Sequence, residues 1–120
     1  MFNVDTETGK IRMHRGDTGS IVYVLSGYGF EEGDVAVFTM KSRDGKMVKQ
    51  QILEPNEDDE VEVTFAYKDT YRLPEEVYVY DIRIFQGVTL DDDGKITDGT
   101  YVDTPMDEIT IELKGTVGIE

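Results

Sequence analysis

Asp91-Asp92-Asp93-Gly94-Lys95-Ile96-Thr97-Asp98 is the stretch whose composition comes closest to metal chemistry. Alternate aspartates ahead of a glycine are how calcium loops gather oxygen ligands around a hard cation. Aligned on Gly94 and Ile96, Asp91 and Asp93 take the third and fifth positions of such a loop. Thr100 stands where the closing bidentate glutamate belongs, and no helical period flanks the stretch. The expectation is a solvated acidic hairpin tip. Asp91, Asp93 and Asp98 are a weak calcium candidate, and no other cofactor is expected.

Paired carboxylates for acid–base work can be drawn from Glu31, Glu32 and Asp34, or from Glu75, Glu76 and Asp81. With 26 acidic residues among 120, such neighbours arise by chance. Nothing in the pattern supplies the desolvation that drives two carboxyl pKa values apart. The single histidine, His14, has no nucleophile elbow or triad context and reads as a surface or rim residue. There is no cysteine, so disulfides, thiolate catalysis and Cys-type zinc sites are excluded. The expectation is a protein that is not an enzyme.

Arg15-Gly16-Asp17 is the tripeptide that integrins read, but here it lies between two short strands. Gly-Asp at such a place is turn chemistry, with Asp17 or Thr18 bonding nearby backbone N–H groups. Tyr28 and Phe30 lie in the glycine-rich loop Ser26 to Asp34. Two rigid rings there offer a partner or ligand platform at low entropic cost. The competing expectation, favoured, is that they fold back and cap one end of the fold. The acidic loop Glu57-Asp58-Asp59-Glu60 reads as solvated surface, with steering of a basic partner as the other option.

Twelve basic against 26 acidic residues give a net charge of −14. Such a chain repels phosphate backbones and anionic membranes, so neither nucleic acid nor a membrane is an expected partner. The longest apolar run, Ile21 to Leu25, is far too short to span a bilayer. The start, Met1 to Glu7, lacks a basic-then-apolar pattern and does not read as a secretory signal. The expected location is the cytoplasm as synthesised, with virion association if the chain leaves inside a larger particle.

The elements that position these residues alternate with a period of two almost throughout. Ile11 and Met13 share one face of a short strand. Ser20 to Leu25 is apolar on both faces and predicts a central strand covered on both sides. Val35 to Lys41 again offers two apolar faces, whereas Met47 to Leu53, interrupted by Lys49, Gln50 and Gln51, suits an edge. Val61, Val63 and Phe65 alternate cleanly, as do Tyr78, Tyr80, Ile82 and Ile84, and then Ile109, Ile111 and Leu113. Asp44-Gly45 and Asp93-Gly94 are hairpin signals. A single helical turn fits near Tyr67 to Leu73, ended by Pro74.

Short strands at regular spacing predict one all-β domain over residues 1–120. The expected architecture is an antiparallel immunoglobulin-like β-sandwich of about seven to nine strands, with a small β-barrel as the alternative. Tyr78 or Tyr80 is a candidate tyrosine corner, its hydroxyl reaching the backbone just upstream; the equal expectation is a tyrosine packed on the sheet with its hydroxyl at the rim.

Arg15-Gly16-Asp17-Thr18 after a short opening strand, a D-G hairpin, the run Tyr78-Val79-Tyr80-Asp81-Ile82 and the Thr104-Pro105 entry to the last strand together carry a resemblance. The chain resembles small β-sandwich proteins of phages and prophages of Gram-positive bacteria, in particular the N-terminal domains of baseplate upper proteins. The resemblance implies an immunoglobulin-like domain used for assembly in a tail or adhesion device, with no catalytic residues. The expected function is therefore a structural or protein-interaction module that docks to protein partners, or to itself, through a sheet edge or a loop end. The long segment Val77 to Leu90 is a candidate arm. The alternative is a carbohydrate- or small-ligand-binding module using Tyr28, Phe30 and other tyrosines.

Overall fold

The computed structural model describes residues 3–115. Its strands are β1 (Asn3–Val4), β2 (Ile11–His14), β3 (Gly19–Val24), β4 (Val35–Lys41), β5 (Met47–Leu53), β6 (Glu60–Phe65), β7 (Glu76–Leu90) and β8 (Ile96–Lys114). One helical turn, α1 (Tyr67–Thr70), separates β6 from β7. The expected all-β sandwich is what forms. One layer is a six-stranded sheet in the order β1-β2-β8-β7-β4-β5, and the other is the pair β3-β6. The ladders are antiparallel except for β2 against β8, which run parallel from Ile11 opposite Ile111 to His14 opposite Lys114.

Alternation fills the space between the layers. Phe38, Tyr80, Ile82, Ile84 and Ile111 from the large sheet meet Ile21, Val61, Val63 and Phe65 from the small one. Phe38 and Phe65 join the layers edge to face, with ring centroids 5.9 Å apart. Removing each such side chain from water contributes roughly 1.5–3 kcal/mol. The Gln51 side chain stitches the layers where β5 meets β6. Its amide nitrogen donates to the Glu62 carbonyl at 3.4 Å, and its oxygen accepts from the Thr64 N–H at 3.0 Å.

The tyrosines on β7 spend their hydroxyls on backbone. Tyr78 donates to the Pro74 carbonyl at 2.8 Å, so of the alternatives open in the sequence it is Tyr78 that makes the corner. Tyr80 instead donates to the Gly9 carbonyl at 2.6 Å, and receives the Tyr23 hydroxyl at 3.0 Å. This chain of bonds links β3, β7 and the turn before β2. Gly9 sits at φ +80°, and a Cβ there would lie 2.6 Å from the Met106 Cε and 2.9 Å from the Tyr80 hydroxyl. Glycine alone meets both demands.

One expectation needs correction. β3 is not a central strand covered on both faces. It pairs with β6 only, and its outward residues Val22 and Val24 are 53% and 61% exposed, while Ile21 and Leu25 are buried. β4 is the strand buried on both faces, lying between β5 and β7. An apolar run states that both faces favour burial; it does not state that the fold holds enough layers to cover both. The helical turn is shorter than the window Tyr67 to Leu73. The last strand is longer than the Ile109–Leu113 alternation, because β8 begins at Ile96.

Candidate functional site

β7 and β8 form a hairpin that outruns the sandwich. β4 supports β7 only from Val79 to Phe85, and β2 supports β8 only from Ile111 to Lys114. Beyond Phe85 and Tyr101 the two strands pair only with each other, out to Leu90 opposite Ile96. The 15 residues of β7 would span roughly 50 Å if fully extended, at about 3.3 Å per residue, against a longest dimension of 47 Å for the molecule. Repeated register shifts bend the hairpin, one of them near Pro105, where a missing N–H costs no ladder bond. The tip closes through the Asp91 N–H donating to the Lys95 carbonyl at 2.8 Å, with Gly94 at φ +79°. Leu90, Tyr101 and Val102 stay 43%, 55% and 38% exposed along it.

The glycine-rich loop braces the root of this arm. The Val88 N–H donates to the Gly33 carbonyl at 2.9 Å, and the Gly87 N–H to Asp34 Oδ1 at 3.2 Å. The other oxygen of Asp34 takes the Glu31 N–H at 2.9 Å. Tyr28 and Phe30 pack against the core, 5.7 Å apart between centroids, so they cap the sandwich end as favoured from the sequence. The Tyr28 hydroxyl donates to Asp103 Oδ2 at 2.6 Å. That bond pushes the phenol up to about 12 and holds the Asp103 carboxyl below its ordinary range.

A groove of about 650 Å³ opens between this loop, the turn after β5 and the arm. Glu31, Glu32, Asp34, Glu54 and Glu57 line it around Val35 and Leu90, and no Lys or Arg does. The sequence reading placed these acids in two unrelated loops; only the strand order brings them to one end.

The remaining candidates resolve into local structure. Asp17 Oδ2 accepts from the His14 N–H at 2.8 Å, and the Gly16 N–H donates to the Thr70 hydroxyl at 2.8 Å, so the Arg15-Gly16-Asp17 segment is a turn tied to α1. His14 is exposed at the end of β2. Asp91 Oδ1 accepts from the N–H groups of Asp93 and Lys95, both at 2.9 Å, and Asp98 Oδ1 accepts from the Gly99 N–H at 2.9 Å. Among the described residues, no group of three His, Asp or Glu side chains is arranged to hold a metal.

Among the described residues, Asp81 is the carboxylate that is buried. Burial raises its pKa, Arg83 and Lys41 oppose that, and Asp107 and Glu108 add to it. Arg83 Nε lies 3.7 Å from Asp81 Oδ1, too far for a hydrogen bond. The adjoining cleft of about 80 Å³ is small and has charged walls, with Lys41, Arg83, Asp107 and Glu108 around Asp81. Glu75 and Glu76 are exposed and do not join it.

Two exposed features escaped the sequence reading. Tyr67 and Tyr71 stack on each other at 4.6 Å on the outside of α1, an i, i+4 pair that a one-turn helix hides from any periodicity search. The other is the outer edge of β3. No family model, curated protein or solved structure matches this chain. No helix among the described residues is long and apolar enough to cross a membrane.

Proposed function

We propose that this protein is a non-catalytic assembly module that docks to other proteins through the β7–β8 arm. The observation that carries the reading is the arm itself: a self-paired hairpin past Phe85 and Tyr101 that no other described strand supports. A two-stranded ribbon in water is marginal on its own, and it adds little to the core. A partner packed on it would offset the chain entropy of its outer part, which the sandwich does not cover. The bracing at Gly33, Asp34 and Tyr28 points the same way, because a rigid arm loses less freedom on docking. The resemblance to phage and prophage sandwich proteins agrees with a place in a tail or adhesion device.

The test replaces residues 89–98 with Asn-Gly, which keeps the bonds at Gly87 and Val88 and favours a tight hairpin. The shortened chain is expected to keep its urea midpoint and to lose co-purification with the products of genes expressed alongside it. Retained complexes with a shortened arm would overturn the reading.

A further inference from the structure

β3 lies at the outer side of the two-stranded sheet, with β6 as its one partner among the described strands. The Leu25 N–H donates to the Asp59 carbonyl at 2.8 Å, continuing a register in which Tyr23 opposes Val61 and Gly19 opposes Phe65. Antiparallel ladders alternate, so residues 19, 21, 23 and 25 exchange bonds with β6. Ser20, Val22 and Val24 therefore direct their N–H and C=O groups away from β6, toward an edge that no described strand occupies. Proteins ordinarily blunt such edges with lysine, proline, a bulge or a covering loop. β3 reads Gly-Ser-Ile-Val-Tyr-Val, with no charge, no proline and no register shift. The outer edge of β6 is covered by the Gln51 side chain, which bonds the Glu62 carbonyl and the Thr64 N–H, and the edge strand β5 carries Lys49.

A groove of about 520 Å³ runs along this edge. Its floor is apolar, with Val4, Met106 and Ile109 half-buried against the core. Its rim carries the carboxylates of Asp5 and Glu7, and no Lys or Arg lines it.

We propose that the free edge of β3 receives an extended segment of a partner protein as a third strand, apolar on the side facing Met106 and Ile109 and basic on the alternate side. The inference rests on the assembly reading above but names a different surface. Main-chain bonds to Ser20, Val22 and Val24 supply the attachment, and the floor selects alternate apolar side chains. The charge requirement follows from the rim and from the net charge of −14. A second copy is the poorer occupant, because its β3 has no basic residue and it brings another −14.

The experiment titrates the ¹⁵N-labelled full chain with two capped hexapeptides, one alternating lysine with valine and one alternating glutamate with valine. The lysine peptide is expected to shift the Ser20, Val22 and Val24 amides and to slow their exchange about tenfold near saturation; the glutamate peptide leaves them unchanged. Val22→Pro removes an outward N–H that β6 does not use, so the fold is expected to persist while binding is lost. If that variant fails to fold, Val24→Pro serves the same purpose, and the peptide map on the unaltered chain decides independently. The inference is overturned by no shift at β3 with either peptide, by shifts confined to the Glu31–Glu57 groove, by equal response to both peptides, or by undiminished binding by a folded Val22→Pro chain. Edge amides already protected in the free protein, together with a dimer mass, would assign the edge to a second copy instead and overturn it as well. Val22→Pro leaves the arm intact, so loss of arm-dependent complexes and loss of peptide binding fail separately.

Discussion

The Tyr28 hydroxyl donates a hydrogen bond to the Asp103 carboxylate at 2.6 Å, tying the glycine-rich loop to the root of the β7–β8 arm. The two residues are distant in sequence, and neither belongs to a recognisable motif. Their bond couples the end cap of the sandwich to its most extended element.

This link has a defined pH window. Asp103 is held below its ordinary pKa, so its contribution is present above about pH 4 and is lost as pH falls through the lower folded value. Tyr28 is raised to about 12, so its contribution is present below about pH 10 and is lost as pH rises through the folded value. Tyr28→Phe is expected to leave the fold intact and to erase the pH dependence that this pair contributes at both ends. Tyr28 tyrosinate absorbance and arm amide exchange, followed across pH, check it. An unchanged profile in the variant would remove the coupling.

Tyr78 and Tyr80 separate two uses of a hydroxyl. Tyr78→Phe deletes one bond, to the Pro74 carbonyl, and is expected to cost about 1 kcal/mol. Tyr80→Phe takes the donor from the Gly9 carbonyl and the acceptor from the Tyr23 hydroxyl together, and is expected to cost more, roughly 1–3 kcal/mol. Urea midpoints of the two variants give the order directly.

Gly9→Ala tests the same junction from the backbone. The positive φ and the contacts with Met106 and Tyr80 act together, so a loss of more than about 1 kcal/mol is expected. Met106→Ala in the same chain relieves the clash with Met106 and leaves the Tyr80 contact and the conformational part, and a double-mutant cycle isolates the Met106 share.

Asp81→Asn is expected to stabilise the fold. Burial raises this carboxyl above its unfolded value, so its ionised form weakens the fold fully above the folded pKa. As pH falls toward the unfolded value the native group takes up its proton first and the penalty disappears. The gain from asparagine is thus largest at neutral pH and vanishes in acid. Thermal melts of both chains across that range would show the convergence.

The alternation of Val61, Val63 and Phe65 and of Tyr78 to Ile84 carried the sandwich and most of its core, because each such run has a single way to bury its apolar face. The Tyr78 corner and the end-cap packing of Tyr28 and Phe30 were legible for the same local reasons. β3 was not, since Ile21 to Leu25 is apolar whether or not an element lies over Val22 and Val24. The arm was legible only in part: β8 is polar from Thr97 to Thr100, and its pairing is set by the partner strand rather than by its own pattern. The acidic groove required the strand order, which brings Glu54 and Glu57 beside Glu31 and Glu32.

Absolute mass in solution, by size exclusion with light scattering at moderate salt, tests the assembly reading most directly. The full chain is measured alone and after co-expression with the products of its neighbouring genes. A discrete species above the 13.6 kDa monomer is expected in at least one of the two, returning to the monomer when residues 89–98 are replaced. A monomer in both, or a complex indifferent to the arm, would contradict it.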